Sequence, residues 1–210
     1  MLGYYNPSVI LTYLSLISAS FGIAFTARPD SRGLFGAVFC LMLSGVFDLF
    51  DGAVAAKCER NEEEKLFGIQ IDSLCDLVAF GALPACIALR LGELSAFSRI
   101  ASGLILLSSV IRLGYFNVQE TLRDRSEKRT SYTGLPVTMV ALLFPFFLFL
   151  GGLLSLPMKV FAPALLCLFA ALEVSRLPLR KPYRWGKAVL VVLGVLVFFA
   201  MLLAKRKIGF

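Results

Sequence analysis

Four aspartates carry the clearest chemical signal in this chain: Asp48 and Asp51 lie three residues apart, Asp72 and Asp76 four apart. On a helix either spacing puts both carboxylates on one face. A short polar stretch, residues 57–68, separates the two pairs, so their helices are expected to be antiparallel neighbours with all four carboxylates converging at similar depth. Flanked by Phe, Leu and Ile, four such groups repel one another, and two divalent cations would balance them. An all-oxygen donor set in a chain with no histidine favours Mg²⁺ or Mn²⁺ over zinc. Two such ions, about 3.5–4 Å apart, are the usual device for displacement at phosphorus. Solvated aspartates at helix ends are the bland alternative, but no Lys or Arg is interleaved within either pair to compensate them. A cation pathway is disfavoured because all four sit towards one membrane face, whereas transport sites lie near the midplane.

The surrounding residues leave two readings open. Gly52, directly after Asp51, either lets a flat group approach the backbone or allows close helix packing together with Ala53, Ala55 and Ala56. Arg112, inside an apolar run, either binds a carboxylate or phosphate, with Asn117 one turn further on as a second acceptor- or phosphate-binding residue, or extends to lipid headgroups. With histidine absent, a general base must be a carboxylate, Lys, Tyr or Cys.

The elements that position these residues are apolar. Of the 210 residues, 58% are hydrophobic and 17% charged, and mean hydropathy is +0.81. Seven apolar segments are expected, at residues 8–27, 33–56, 69–91, 97–118, 134–154, 157–175 and 186–204. Their lengths suit membrane helices, and most are apolar all round instead of amphipathic. The expected fold is all-α: a polytopic transmembrane helix bundle of about six to eight spans, forming one domain over residues 1–210. The five cysteines contain no CxxC pair and read as small core residues. The N-terminus lacks a basic leader and cleavage site, so it reads as a retained first span.

The net charge of +7 points, in such a chain, to orientation and anionic headgroups and not to nucleic acid. Placing the N-terminus and the 57–68, 119–133 and 176–187 loops on one side divides the basic residues 13 against 8. The richer side, which holds the aspartates, should be cytoplasmic. Lys205, Arg206 and Lys207 oppose this arrangement, so either the last segment folds back as a hairpin or the chain does not have seven spans.

The stretch Asp48, Asp51, Gly52, Ala55, then Gly68, Asp72, Asp76 resembles the signature of the CDP-alcohol phosphotransferases, D-x2-D-G-x2-A-R followed by G-x3-D-x3-D. The run QIDSLCDLVAFGALPA is similar to that of the phosphatidylserine synthase branch, and IRLGYFNV, YTGLPVT and VSRLP agree with it. The resemblance implies transfer of a phosphatidyl group from CDP-diacylglycerol to L-serine within a membrane-embedded homodimer. It implies Asp48, Asp51, Asp72 and Asp76 as metal ligands, with Asp76 also the base. Thr12, Gly52 and Ala55 would contact the nucleotide. One position departs from the signature: Ala56 stands where it has arginine, leaving Lys57 or Lys65 to reach the substrate phosphate. The alternatives are glycerol 3-phosphate or inositol phosphate as acceptor, or a weakly active membrane scaffold.

Overall fold

The computed structural model describes residues 3–122, 131–180 and 184–208. Asn6 starts the first helix, its Oδ1 accepting from the Ser8 N–H at 3.0 Å, and Pro7 fills a first-turn position that needs no N–H. One 3₁₀ turn, Pro7–Val9, leads into α1 (Ile10–Thr26). Asp30 caps α2 (Ser31–Ala55), accepting from Gly33 N at 3.1 Å. Lipid offers no hydrophobic drive between helices, so close packing and interhelical hydrogen bonds must hold the bundle. Serines do this between α1 and α2. Ser44 Oγ donates to the Ser15 carbonyl at 3.0 Å, Ser15 Oγ to that of Ser44 at 3.3 Å, and Ser18 Oγ to that of Cys40 at 3.0 Å.

The apolar pattern begins the next segment at 69, but α3 spans Glu62–Asp76. Polar chemistry adds the earlier turns. Asn61 Oδ1 accepts from Glu64 N at 2.8 Å while Glu64 Oε2 accepts from Asn61 N at 2.9 Å, a reciprocal cap. Glu62, Glu63 and Glu64 also place negative charge at the positive end of the helix dipole. Directly after Asp76 the helix widens into a π segment, Leu77–Ala82, and continues as α4 (Leu83–Leu91). Pro84 has no N–H to return to the preceding turn, and the widened turn absorbs that break. Gly22 permits the α1–α4 contact, since a Cβ there would stand 2.8 Å from the Leu83 side chain.

The second half comprises α5 (Ala96–Leu122), α6 (Val140–Leu153), α7 (Met158–Glu173) and α8 (Arg184–Ile208). Two short strands, β1 (Ser131–Thr133) and β2 (Pro178–Arg180), pair antiparallel at one end. Phe80, Ile87, Ile105, Phe144, Leu166 and Phe169 are buried at the bundle centre. Ile100, Leu104, Leu107 and Ile111 of α5 are exposed as an apolar stripe suited to lipid.

Each of the seven expected apolar segments thus holds a helix among the described residues. Among the described residues, four helical segments are long and apolar enough to cross a bilayer: Pro7–Thr26, Ser31–Ala55, Glu62–Leu91 and Ala96–Leu122. The chain is an integral membrane protein with an all-α bundle. The hairpin allowed for the last segment does not form, because α8 runs unbroken to Ile208.

Candidate active site

The turn between α2 and α3 is short, so Asp48 and Asp51 in the last turns of α2 face Asp72 and Asp76 in the last turns of α3. Asp48, Asp72 and Asp76 each offer a carboxylate oxygen within 4.8 Å of the others. Asp51 lies within hydrogen-bonding reach of Asp72. Asp76 is the most enclosed, with 7% of its surface exposed, whereas Asp48, Asp51 and Asp72 are partly buried. Four carboxylates this close, in a medium that screens poorly, need positive charge between them. Oxygen donors alone, converging from two helices, fit a hard divalent cation. The π segment that begins after Asp76 matches the tendency of such widenings to occur beside functional sites.

Gly52 faces open space: a Cβ built there meets no atom of the described residues within 4 Å. Helix packing therefore does not require this glycine, and the aspartate cluster keeps an open flank. Thr12 is buried in the first turn of α1, the helix packed on α2. Ala55 ends α2, with Ala56 and Lys57 exposed just beyond it. Lys65 is occupied, its Nζ lying 3.0 Å from Glu62 Oε1.

Two expected site residues take part in helix-to-helix contacts. Asn117 Oδ1 accepts from Ser73 Oγ at 2.7 Å, joining α5 to α3. Arg112 is 6% exposed and donates to three carbonyls, those of Thr133 at 2.7 Å, Glu173 at 2.8 Å and Gly134 at 3.3 Å. Its guanidinium carbon also lies 4.6 Å from the Phe116 ring centroid. Gly134 sits at φ +71°, a conformation suited to glycine, and a Cβ there would stand 2.7 Å from Arg112 Nη1.

Two further residues escaped sequence reasoning. Glu173 is 2% exposed, accepting from Ser108 Oγ at 2.7 Å and Ser109 Oγ at 3.0 Å. It falls inside a segment read only as apolar, where a lone carboxylate was itself the available signal. Arg60, in the α2–α3 turn, lies over Gly68, its Nη1 3.6 Å from where a Cβ would be.

An apolar groove of about 260 Å³ runs between α2, α6 and α8 and includes Asp48 in its wall. Met42, Leu43, Leu49, Leu142 and Phe198 line it. From Asp48 to Phe39 along α2 is nine residues, or about 13 Å of helix. Phe198 closes α8 onto α2, its ring centroid 5.2 Å from that of Phe39.

The profile described as CDP-alcohol phosphatidyltransferase matches residues 5–175, which takes in both aspartate pairs and leaves α8 outside. Over 128 residues the chain is 33% identical to the CDP-diacylglycerol–serine O-phosphatidyltransferase of Saccharomyces cerevisiae, covering 60% of this chain and 44% of that one. Over 139 residues it is 31% identical to the archaetidylserine synthase of Methanothermobacter thermautotrophicus, covering 66% and 57%. The chain thus spans about half the length of these two relatives. With the CDP-diacylglycerol–serine O-phosphatidyltransferase of Helicobacter pylori it shares 29% identity over 210 residues, covering 95% and 84%. A profile match across most of the chain, taking in the carboxylates that the fold brings together, places this protein in the CDP-alcohol phosphatidyltransferase family.

Proposed function

We propose that this protein transfers the phosphatidyl group of CDP-diacylglycerol to the hydroxyl of L-serine, giving phosphatidylserine and CMP. The convergence of Asp48, Asp72 and Asp76, with Asp51 beside them, is the observation that carries this reading. Asp48, Asp51, Asp72 and Asp76 would hold two Mg²⁺ or Mn²⁺ ions, which supply Lewis acidity to the phosphoryl oxygens and the leaving phosphate.

The protein's own residues do the rest. Asp76, the most enclosed of the four aspartates, takes the proton from the serine hydroxyl. The serine oxygen then forms a bond to the phosphorus bearing diacylglycerol, and the bond from that phosphorus to the bridging oxygen breaks. That oxygen leaves as part of the CMP phosphate. Gly52, having no side chain, leaves the flank open for the nucleotide. The groove beside Asp48 takes an acyl chain, keeping apolar tail and reacting phosphate within one reach.

The same reading treats the chain as one domain, a homodimer in the cytoplasmic membrane with its aspartates facing the cytoplasm. The preponderance of basic residues on that side supports the orientation. The test is CMP release by purified protein with CDP-diacylglycerol and Mg²⁺ or Mn²⁺, offering L-serine, glycerol 3-phosphate and inositol phosphate in turn. Serine-dependent release is expected, and release dependent on one of the others alone overturns the assignment.

A further inference from the structure

We propose that Arg60 is an anion-binding residue that receives the diphosphate of a nucleotide-linked lipid beside the aspartate cluster. The proposal rests on the phosphatidyl-transfer reading above and names a contact within it. Its starting point is placement. Gly68 precedes Asp72 by four residues, so the two share a face of α3 one turn apart. Arg60 Nη1 lies over that glycine, 3.6 Å from where a Cβ would stand, which puts the guanidinium about one helical turn along α3 from the Asp72 position.

The second observation is an unmet hydrogen bond. Arg60 Nε is buried and has no partner among the described residues. A buried donor on a charged group is costly to leave unpaired, and such orphans in native structures call for an explanation. The acidic turn around Arg60 has other partners. Glu63 Oε2 accepts from the Tyr4 hydroxyl at 2.7 Å, Glu62 lies 3.0 Å from Lys65 Nζ, and Glu64 caps Asn61. Asn6 Nδ2 ties the turn to the N-terminal segment by donating to the Glu59 carbonyl at 3.0 Å.

A guanidinium in such a pinned turn presents a fixed planar fork, the geometry that suits a phosphate with two oxygens in reach. Gly68 leaves the space in which the fork lies. Position 56, just after α2, is alanine and supplies no cation, whereas Arg60, in the turn that follows, carries a guanidinium. Diphosphate of the lipid donor and phosphate of a bulk headgroup share the chemistry, and the experiment separates them.

Full-length protein is purified in detergent as wild type, Arg60→Gln, Arg60→Lys and Gly68→Val, the last crowding the space that the guanidinium occupies. Measured on each are CDP affinity, KM for CDP-diacylglycerol, KM for L-serine, and thermal unfolding. Arg60→Gln is expected to raise the CDP Kd and the KM for CDP-diacylglycerol about tenfold or more, the worth of one charge-assisted hydrogen bond. KM for L-serine should stay within about twofold, Arg60→Lys should recover part of the loss, and Gly68→Val should reproduce it.

Unchanged CDP affinity in Arg60→Gln overturns the proposal. So does unchanged CDP affinity combined with weaker binding to bilayers containing phosphatidylglycerol, which assigns the guanidinium to headgroups. Loss of folding in Arg60→Gln leaves Gly68→Val to decide by the same CDP measurement. Wild-type protein that binds CDP through Arg60 yet releases no CMP with serine defeats the acceptor assignment while leaving this contact standing.

Discussion

Ser73 Oγ donates to Asn117 Oδ1 at 2.7 Å, tying α3 to α5 one residue past Asp72. Asn117 Nδ2 adds a longer bond, 3.4 Å, to Gln70 Oε1. The pair fixes the helix that carries two of the four carboxylates, without itself being a carboxylate ligand. Ser73→Ala and Asn117→Ala should each lower kcat by up to about tenfold, as the loss of one hydrogen bond allows. The double variant should be no worse than the poorer single one, because both remove the same contact. Fully multiplicative losses in kcat would show that Asn117 acts separately, for example on the acceptor.

The carboxylates themselves should tolerate little change. Asp48→Asn or Asp72→Asn is expected to abolish detectable CMP release while the protein still inserts and keeps its helical circular dichroism. Treatment of wild-type protein with a chelator should do the same, and adding back Mg²⁺ or Mn²⁺ should restore turnover. Activity surviving either chelation or substitution removes the metal reading.

Asp76 separates proton transfer from metal binding. Loss of general-base assistance costs about 10²–10⁴-fold in rate. Asp76→Asn should lower CMP release by that order while the lipid donor still binds, with both measured on one preparation at saturating metal. Equal losses of binding and turnover would make Asp76 a ligand alone.

Arg112 should report on stability. Its guanidinium satisfies carbonyls at the end of β1, in the loop after it and at the end of α7. Leaving such groups unpaired costs about 1–3 kcal/mol apiece when they are buried. Arg112→Leu is therefore expected to lower the unfolding midpoint in detergent by several degrees. If the midpoint holds and KM for serine rises instead, Arg112 serves the acceptor and its carbonyl bonds are incidental.

Those contacts also show where sequence reading stops. Apolar runs announce helices because lipid tolerates little else, and all seven segments were legible for that reason. The aspartate pairs were legible because helical spacing alone fixes which carboxylates share a face. The early start of α3 was not, since Asn61 and Glu64 extend the helix by polar capping outside the apolar run. Nor was the π segment, because a shift from four- to five-residue hydrogen bonding has no dedicated side-chain marker. The carbonyl contacts of Arg112 were not legible either, because its partners are backbone groups 21 or more residues away. Arg60 was passed over because its place above Gly68 depends on the path of the intervening turn.

In the proposed reaction, the groove that runs from Asp48 between α2, α6 and α8 is the donor's route to the site. A lipid seated there need never leave the bilayer, so supply is by lateral diffusion within a two-dimensional solvent. The relevant concentration is then mole fraction in the membrane. Diluting CDP-diacylglycerol with inert lipid should slow the reaction even when the total amount in the tube is unchanged. Adding aqueous volume at fixed membrane composition should leave the rate per protein alone, whereas serine, arriving from water, should obey its bulk concentration.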